Sequence, residues 1–211
     1  MSEKNLGKKK IWLIAAAVAL SIILLAVGVP LAILMLDQPD DGRHMTIHFA
    51  DPSLSADIYA DSVYMSYDRA IHYTTNDGYA VTVEIPESDY HRYPDEVQLL
   101  IRLVAAATAG DADAYNACFS PEYIAASGKE EPFTMQKIYD IEIVNYHQSG
   151  GTPPDAYLES SVYGLRYKIK DNNGSLRYDM GSDAIHEQYM SIVLDAKGDA
   201  YIYGVQLRYI R

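Results

Sequence analysis

Residues 11–36, IWLIAAAVALSIILLAVGVPLAILML, contain no charged side chain and one hydroxyl, Ser21. As a helix at ~1.5 Å per residue the run is ~39 Å long, more than the ~30 Å of hydrocarbon in a bilayer. Inside lipid such a run satisfies its backbone polar groups only as a spanning helix, with slack at Gly28 and Pro30 where it can bend or end. A cleaved signal peptide has an apolar core of roughly 7–15 residues and a small-x-small cleavage site. This core is longer, LDQPDDG follows it, and no cysteine follows that could carry a lipid. Lys4, Lys8, Lys9 and Lys10 precede the run and DQPDD follows it. The pattern predicts a cytoplasmic tail over 1–10, an uncleaved signal anchor held in the lipid bilayer through 11–36, and everything after it outside the cell membrane.

The same run divides the charge. Residues 1–36 carry four lysines and Glu3, a net +3, so residues 37–211 carry −15 of the chain total of −12. A domain that acidic is a poor candidate for nucleic acid or anionic lipid, and allows a basic partner or cationic ligand. Cys118 is the only cysteine, so no internal disulfide staples the exported part. It lies three residues after Tyr115 and beside Phe119 on an apolar helix face, which predicts a small buried hydrophobe rather than a nucleophile. The roughly 175 remaining residues suffice for a core without covalent help.

Residues 37–57 read as a polar stalk. Residues 58–92 read as a β-hairpin extension: SVYMSYDRAIHYT, the turn signal TNDG, then YAVTVEIP with Val81, Val83 and Ile85 alternating with polar neighbours. The pattern then becomes helical. Pro94 and Asp95 start a segment whose Val97, Leu100, Ile101, Val104 and Ala105 follow helical spacing until Gly110 stops it. A second short helix, capped by Asp111, is broken by Pro121, and FTMQKIYD reads as one more helical turn. Strand-like runs follow at 138–147, 161–170, 187–195 and 200–210. In the second, Tyr163, Leu165, Tyr167 and Ile169 fall on one face and Arg166, Lys168 and Lys170 on the other. Helices first and an antiparallel meander afterwards make an α+β layout, with the helices on one face of the sheet.

The stretch LLIRLVAAATAGDADAYNACFSPEYI resembles the leading helices of the nuclear transport factor 2-like superfamily, also called SnoaL-like or cystatin-like. There a helix, a Gly-Asp break and a short aromatic-bearing helix precede a curved antiparallel sheet. The resemblance covers roughly 93–211 and implies a cone-shaped domain. The superfamily's enzymes place Asp, His or Tyr on the concave face of the sheet, in an apolar pocket that tunes their pKa values. Its other members are interaction modules, so the fold alone does not set an activity. The chain also resembles membrane-anchored bacterial proteins that share NNG…R.D.GSD, here Asn172, Asn173, Gly174, Arg177, Asp179, Gly181, Ser182 and Asp183. The tail, single helix and exported domain are similar in architecture to assembly subunits of conjugative type IV secretion machines. Neither likeness implies an activity.

Asp179, Asp183 and His186, with Glu187, are the candidates for acid/base catalysis. They cluster within nine positions at sheet corners, where Asp, Ser and Gly are also the residues that turns require. GSD is not a nucleophile elbow, and Ser182 and His186 share one short loop. No metal site is expected: the six histidines (44, 48, 72, 91, 147, 186) are scattered, and DAKGD offers too few ligands for calcium. No cofactor motif is present. NNGS contains a glycosylation match at Asn173 and reads more simply as a type I′ turn, beside which Arg177 and Asp179 form an exposed pair. All 19 tyrosines follow the apolar run. Tyr163, Tyr167, Tyr201 and Tyr203 recur at strand spacing, as cross-strand packing or as a ligand or partner face.

No catalytic group converges in this reading. The expected function is that of a non-enzymatic, extracytoplasmic interaction domain on a membrane anchor, binding an envelope protein or a second copy of itself. The alternative is a small-ligand pocket or an acid/base enzyme, isomerase-, cyclase- or hydrolase-like, inside the cone.

Overall fold

The computed structural model of the chain describes residues 57–76, 79–149, 152–153, 155–172 and 183–207. The expected tail, the spanning segment 11–36 and nearly all of the stalk lie outside these residues. Among the described residues no helix is long and apolar enough to cross a membrane.

Helix α1 (Asp95–Ala109) begins where the sequence signals place it. Pro94 holds an extended backbone, and Asp95 and Glu96 put negative charge on the first turn, where it complements the helix dipole. Val97, Leu99, Leu100, Ile101, Leu103 and Val104 are buried. Gly110 ends the helix at φ 68°. Its N–H donates to the Ala107 carbonyl at 3.2 Å, and the Asp111 N–H donates to Ala106 at 2.9 Å, the paired bonds of a Schellman stop. Asp111 then caps α2 (Ala112–Asn116) by accepting from the Ala114 N–H. Ser120 caps α3 (Pro121–Ser127), with Pro121 in the first turn where its missing N–H costs nothing.

The strands are β1 (Ile71–Asn76), β2 (Ala80–Ile85), β3 (Ile138–Ser149), β4 (Tyr157–Ile169), β5 (Gln188–Asp195) and β6 (Ala200–Gln206). They form one sheet in the order β2-β1-β3-β4-β5-β6. The domain is therefore α+β, but its sheet is mixed rather than antiparallel throughout. The helical segment returns the chain so that β3 runs parallel to β1, pairing Ile71 with Ile141 and Tyr73 with Ile143. The hairpin expected as an extension is thus part of the main sheet, and the described residues all fall in one compact unit, Gly42–Arg211. Two register shifts in β3 coincide with Asp140 and His147, both at φ 49°. Bulges of this kind bend the strand and raise its twist.

Two other expectations fail locally. Residues 58–70 form no strand: they make 3-10 turns at Ile58–Ala60 and Tyr64–Ser66. Asp57 and Asp61 accept backbone N–H bonds there, from Tyr59 and from Val63 and Tyr64, and such local bonds compete with a ladder. FTMQKIYD makes no helical turn either. Residues 133–137 have no regular structure, Phe133, Thr134 and Gln136 are buried, and β3 begins at Ile138. The Gln136 amide donates to the Thr134 carbonyl at 2.6 Å, and Met135 N would lie 2.8 Å from a Cβ on Gly110. Tertiary packing therefore sets this segment's conformation.

The main core lies between the helices and one face of the sheet. Tyr163, Leu165, Tyr167 and Ile169 of β4 contribute to it with Ile143, Met190, Ile192 and Ile202. A smaller cluster of Ile58, Tyr64 and Tyr139 ties the N-terminal turns to β3. There the Tyr64 hydroxyl donates to the Ile138 carbonyl at 3.0 Å.

Candidate functional site: a polar plate and a tyrosine-walled groove

Of the residues singled out for catalysis, those described do not meet in either concave surface. Asp179 lies outside the described residues. Asp183 and His186 are exposed, and neither lines a concave surface described below. Asp183 closes the end of β4: at φ 58° its N–H donates to the Ile169 carbonyl, and its carboxylate accepts from the Tyr139 hydroxyl. The four tyrosines split between two faces. Tyr163 and Tyr167 are buried against the helices. Tyr201 and Tyr203 are half-buried and alternate with buried Ala200 and Ile202, so they point to the opposite side.

That opposite side carries an array whose members are scattered along the chain. Arg166 donates to Glu142 Oε2 at 3.1 Å and to Glu187 Oε2 at 3.0 Å. Glu187 also accepts from the Tyr146 hydroxyl at 2.5 Å and the Tyr189 hydroxyl at 2.8 Å. Thr74 donates to Glu142 Oε1 at 2.6 Å, so the 2.7 Å contact between the two threonines is a donation from Thr82. Gly164 makes the arrangement possible, because a Cβ there would stand 2.2 Å from Glu187 Oε1. Burial works against the Arg166 charge, and Glu187 and Glu142 more than offset it, so the guanidinium pKa rises. Burial and then the Glu187 carboxylate push the Tyr146 phenol up.

The plate continues toward the N-terminal turns. Lys168 reaches Asp140 at 2.7 Å and lies 5.6 Å from the centre of the Tyr139 ring. Lys137 and Lys170 converge on Asp61 at 2.7 and 2.9 Å and hold its carboxyl well below the usual range. Every charged group in this plate has a fixed opposite partner, an arrangement that orders the surface rather than leaving a base or acid to react. Among the described residues no three His, Cys, Asp or Glu side chains converge as metal ligands.

A groove of about 580 Å³ lies between the N-terminal turns, the β1/β2 end of the sheet and α1. Tyr59, Tyr64, Tyr67 and Tyr90 line it, over a base that includes Ile71, Ile85, Ile101 and Val104. Asp68, Arg69, Glu84 and Glu87 also border it. Arg69 sits 5.6 Å from the Tyr64 ring centre. Among the described residues neither Glu84 nor Glu87 has an ion-pair partner. Burial, and then Glu87, push the Tyr90 phenol up. Sequence reading missed this site. Its only signal was the density of tyrosines in SVYMSYDRAIHY and DYHRYP, which lie on separate segments until the fold joins them. A second concavity, about 460 Å³, is lined mainly by alanines of α1 and α2 beside Cys118. Burial pushes that thiol up to about 11, the opposite of what a nucleophile needs.

The chain matches no protein family, no curated protein and no solved structure.

Proposed function

We propose that the chain is a single-pass membrane protein whose exported domain docks a basic, apolar-flanked segment of another envelope protein in the tyrosine-walled groove. The observation that carries this reading is a tyrosine-lined groove bordered by Glu84 and Glu87, which have no cationic partner among the described residues. Tyrosine rings offer large apolar contact with polar tips, and unpaired carboxylates favour Lys or Arg on the incoming chain. The net −15 of residues 37–211 steers such a partner toward the domain. The apolar run and its preceding lysines support a cytoplasmic N-terminus and an exported domain. Helices on one sheet face and a twice-bulged β3 support the likeness to the cone-shaped nuclear transport factor 2-like domains.

Acid/base chemistry inside the cone is the weaker reading, because it needs Asp179, Asp183 or His186 in a closed cavity, and the two that are described, Asp183 and His186, are exposed. The docking reading is tested with a photo-crosslinking amino acid at Tyr59, which is 52% exposed beside the groove. In intact cells it should trap a peptide bearing Lys or Arg between apolar residues, and E84Q/E87Q should abolish the product. An adduct indifferent to E84Q/E87Q, or no adduct, overturns the reading.

A further inference from the structure

The two edges of the sheet are treated differently. Along β6 the chain closes its own edge: Ser120 N–H donates to the Ile202 carbonyl and Ile202 N–H donates to the Cys118 carbonyl, both at 2.9 Å. At the other end β2 is the last strand, and among the described residues it pairs only with β1. Its ladder runs without a bulge from Ile71–Ile85 to Asn76–Ala80. Val81 is 55% exposed and Val83 43%, with Tyr79 before them at 87%. Folded proteins protect such an edge with lysine, proline, a bulge or a covering segment. Between Ala80 and Ile85 none of these residues occurs, and Glu84 is the only charge.

We infer that β2 is a self-pairing edge whose occupant is β2 of a second copy, in antiparallel register about Thr82. The strand's own pattern selects this partner. Facing residues of an antiparallel pair share a face, so a two-fold axis at Thr82 sets Val81 of each copy against Val83 of the other. Thr82 then meets Thr82, and Glu84 meets Ala80, so no two carboxylates face each other. Centring the axis on Glu84 would oppose two glutamates and is excluded by charge. A shared membrane plane concentrates the copies, as the signal-anchor reading requires. The inference rests on reading the chain as an interaction domain, but it centres on residues of β2 other than Glu84 and Ile85, which border the groove. Val81, Thr82 and Val83 line no part of that groove.

The test is single-cysteine crosslinking of the full chain in its native membrane, where Cys118 is buried and contributes no background. Cysteines are placed one at a time at positions 80–84, and at exposed Lys129 as a control, then oxidised or treated with a short bis-maleimide. The expected result is a disulfide-linked homodimer that peaks at T82C, is absent for K129C, and is lost at least tenfold when V83K is added. Because each exported part carries −15, dimer yield should rise with salt, opposite to the capture of a basic segment in the groove. A flat profile across 80–84, a dimer that survives V83K, or a T82C adduct to a different protein overturns self-pairing. The Tyr59 adduct is scored separately. Its loss with the T82C dimer intact removes the groove reading alone, and the reverse removes the edge alone.

Discussion

Replacing Glu187 with alanine should destabilise the domain by about 2–4 kcal/mol. The carboxylate accepts three bonds, from Tyr146, Tyr189 and Arg166. Bonds to a charged group contribute roughly 1.5–3 kcal/mol each when their partners are left dry. Here the side chain of Glu187 is 13% exposed and that of Arg166 is 36% exposed. Arg166 can therefore rehydrate and keeps Glu142, so the ion pair itself counts for little. Most of the loss falls on the tyrosine hydroxyls, Tyr146 above all. For a domain of this size about 1 kcal/mol moves Tm by roughly 2–4 °C, so E187A should lower it by about 4–16 °C. E187Q, which keeps the shape and one acceptor oxygen, should fall between. G164A should act through the same group, since its Cβ displaces Glu187. The assay is thermal unfolding of the full chain in detergent, followed by near-ultraviolet dichroism of its tyrosines. A double-mutant cycle with R166M should return a coupling of about 0.5–2 kcal/mol. A loss under about 0.5 kcal/mol for E187A, with no coupling, would show that water replaces the plate at no cost and refute the account.

Two further outcomes follow from single positions. G110A combines φ 68° with a Cβ 2.8 Å from Met135 N, and should cost about 2–4 kcal/mol in the same melt. Burial pushes the Glu130 carboxyl from 4.5 up to about 7. The folded state then holds a proton that the unfolded chain releases, so stability falls as pH rises from 4.5 to 7 and is level above that. E130Q should accordingly gain about 1–2 kcal/mol at pH 8 and nothing at pH 4, the full linkage value being roughly halved because the carboxyl keeps contact with water. Equal effects of E130Q at both pH values would contradict the buried carboxyl.

The parts legible in advance were those whose cause is local. Pro94 and Gly110 bound α1 as expected, because an extended pre-helix proline and a left-handed glycine act on their own backbone. Asp111 capped α2 for the same reason. The faces of β4 were also legible, since alternation alone separates Tyr163, Leu165, Tyr167 and Ile169 from Arg166 and Lys168. The errors came where local signals tied. SVYMSYDRAIHYT has strand composition throughout, yet Asp57 and Asp61 hold its first part in turns and only Ile71 onward extends. Tyr163, Tyr167, Tyr201 and Tyr203 share one period, but period does not say which face a helix will cover.

Charge distribution, the apolar run, the helix boundaries and the strand faces were thus determined by the sequence itself, through forces that reach only a few residues along the chain. The parallel pairing of β1 with β3, the closing of Glu187 over Gly164 and the meeting of Tyr59 and Tyr67 with Tyr90 around one groove depend on residues 23 to 70 positions apart. Those contacts exist because burying one face of each element forces particular partners together, and no local pattern encodes which partner wins.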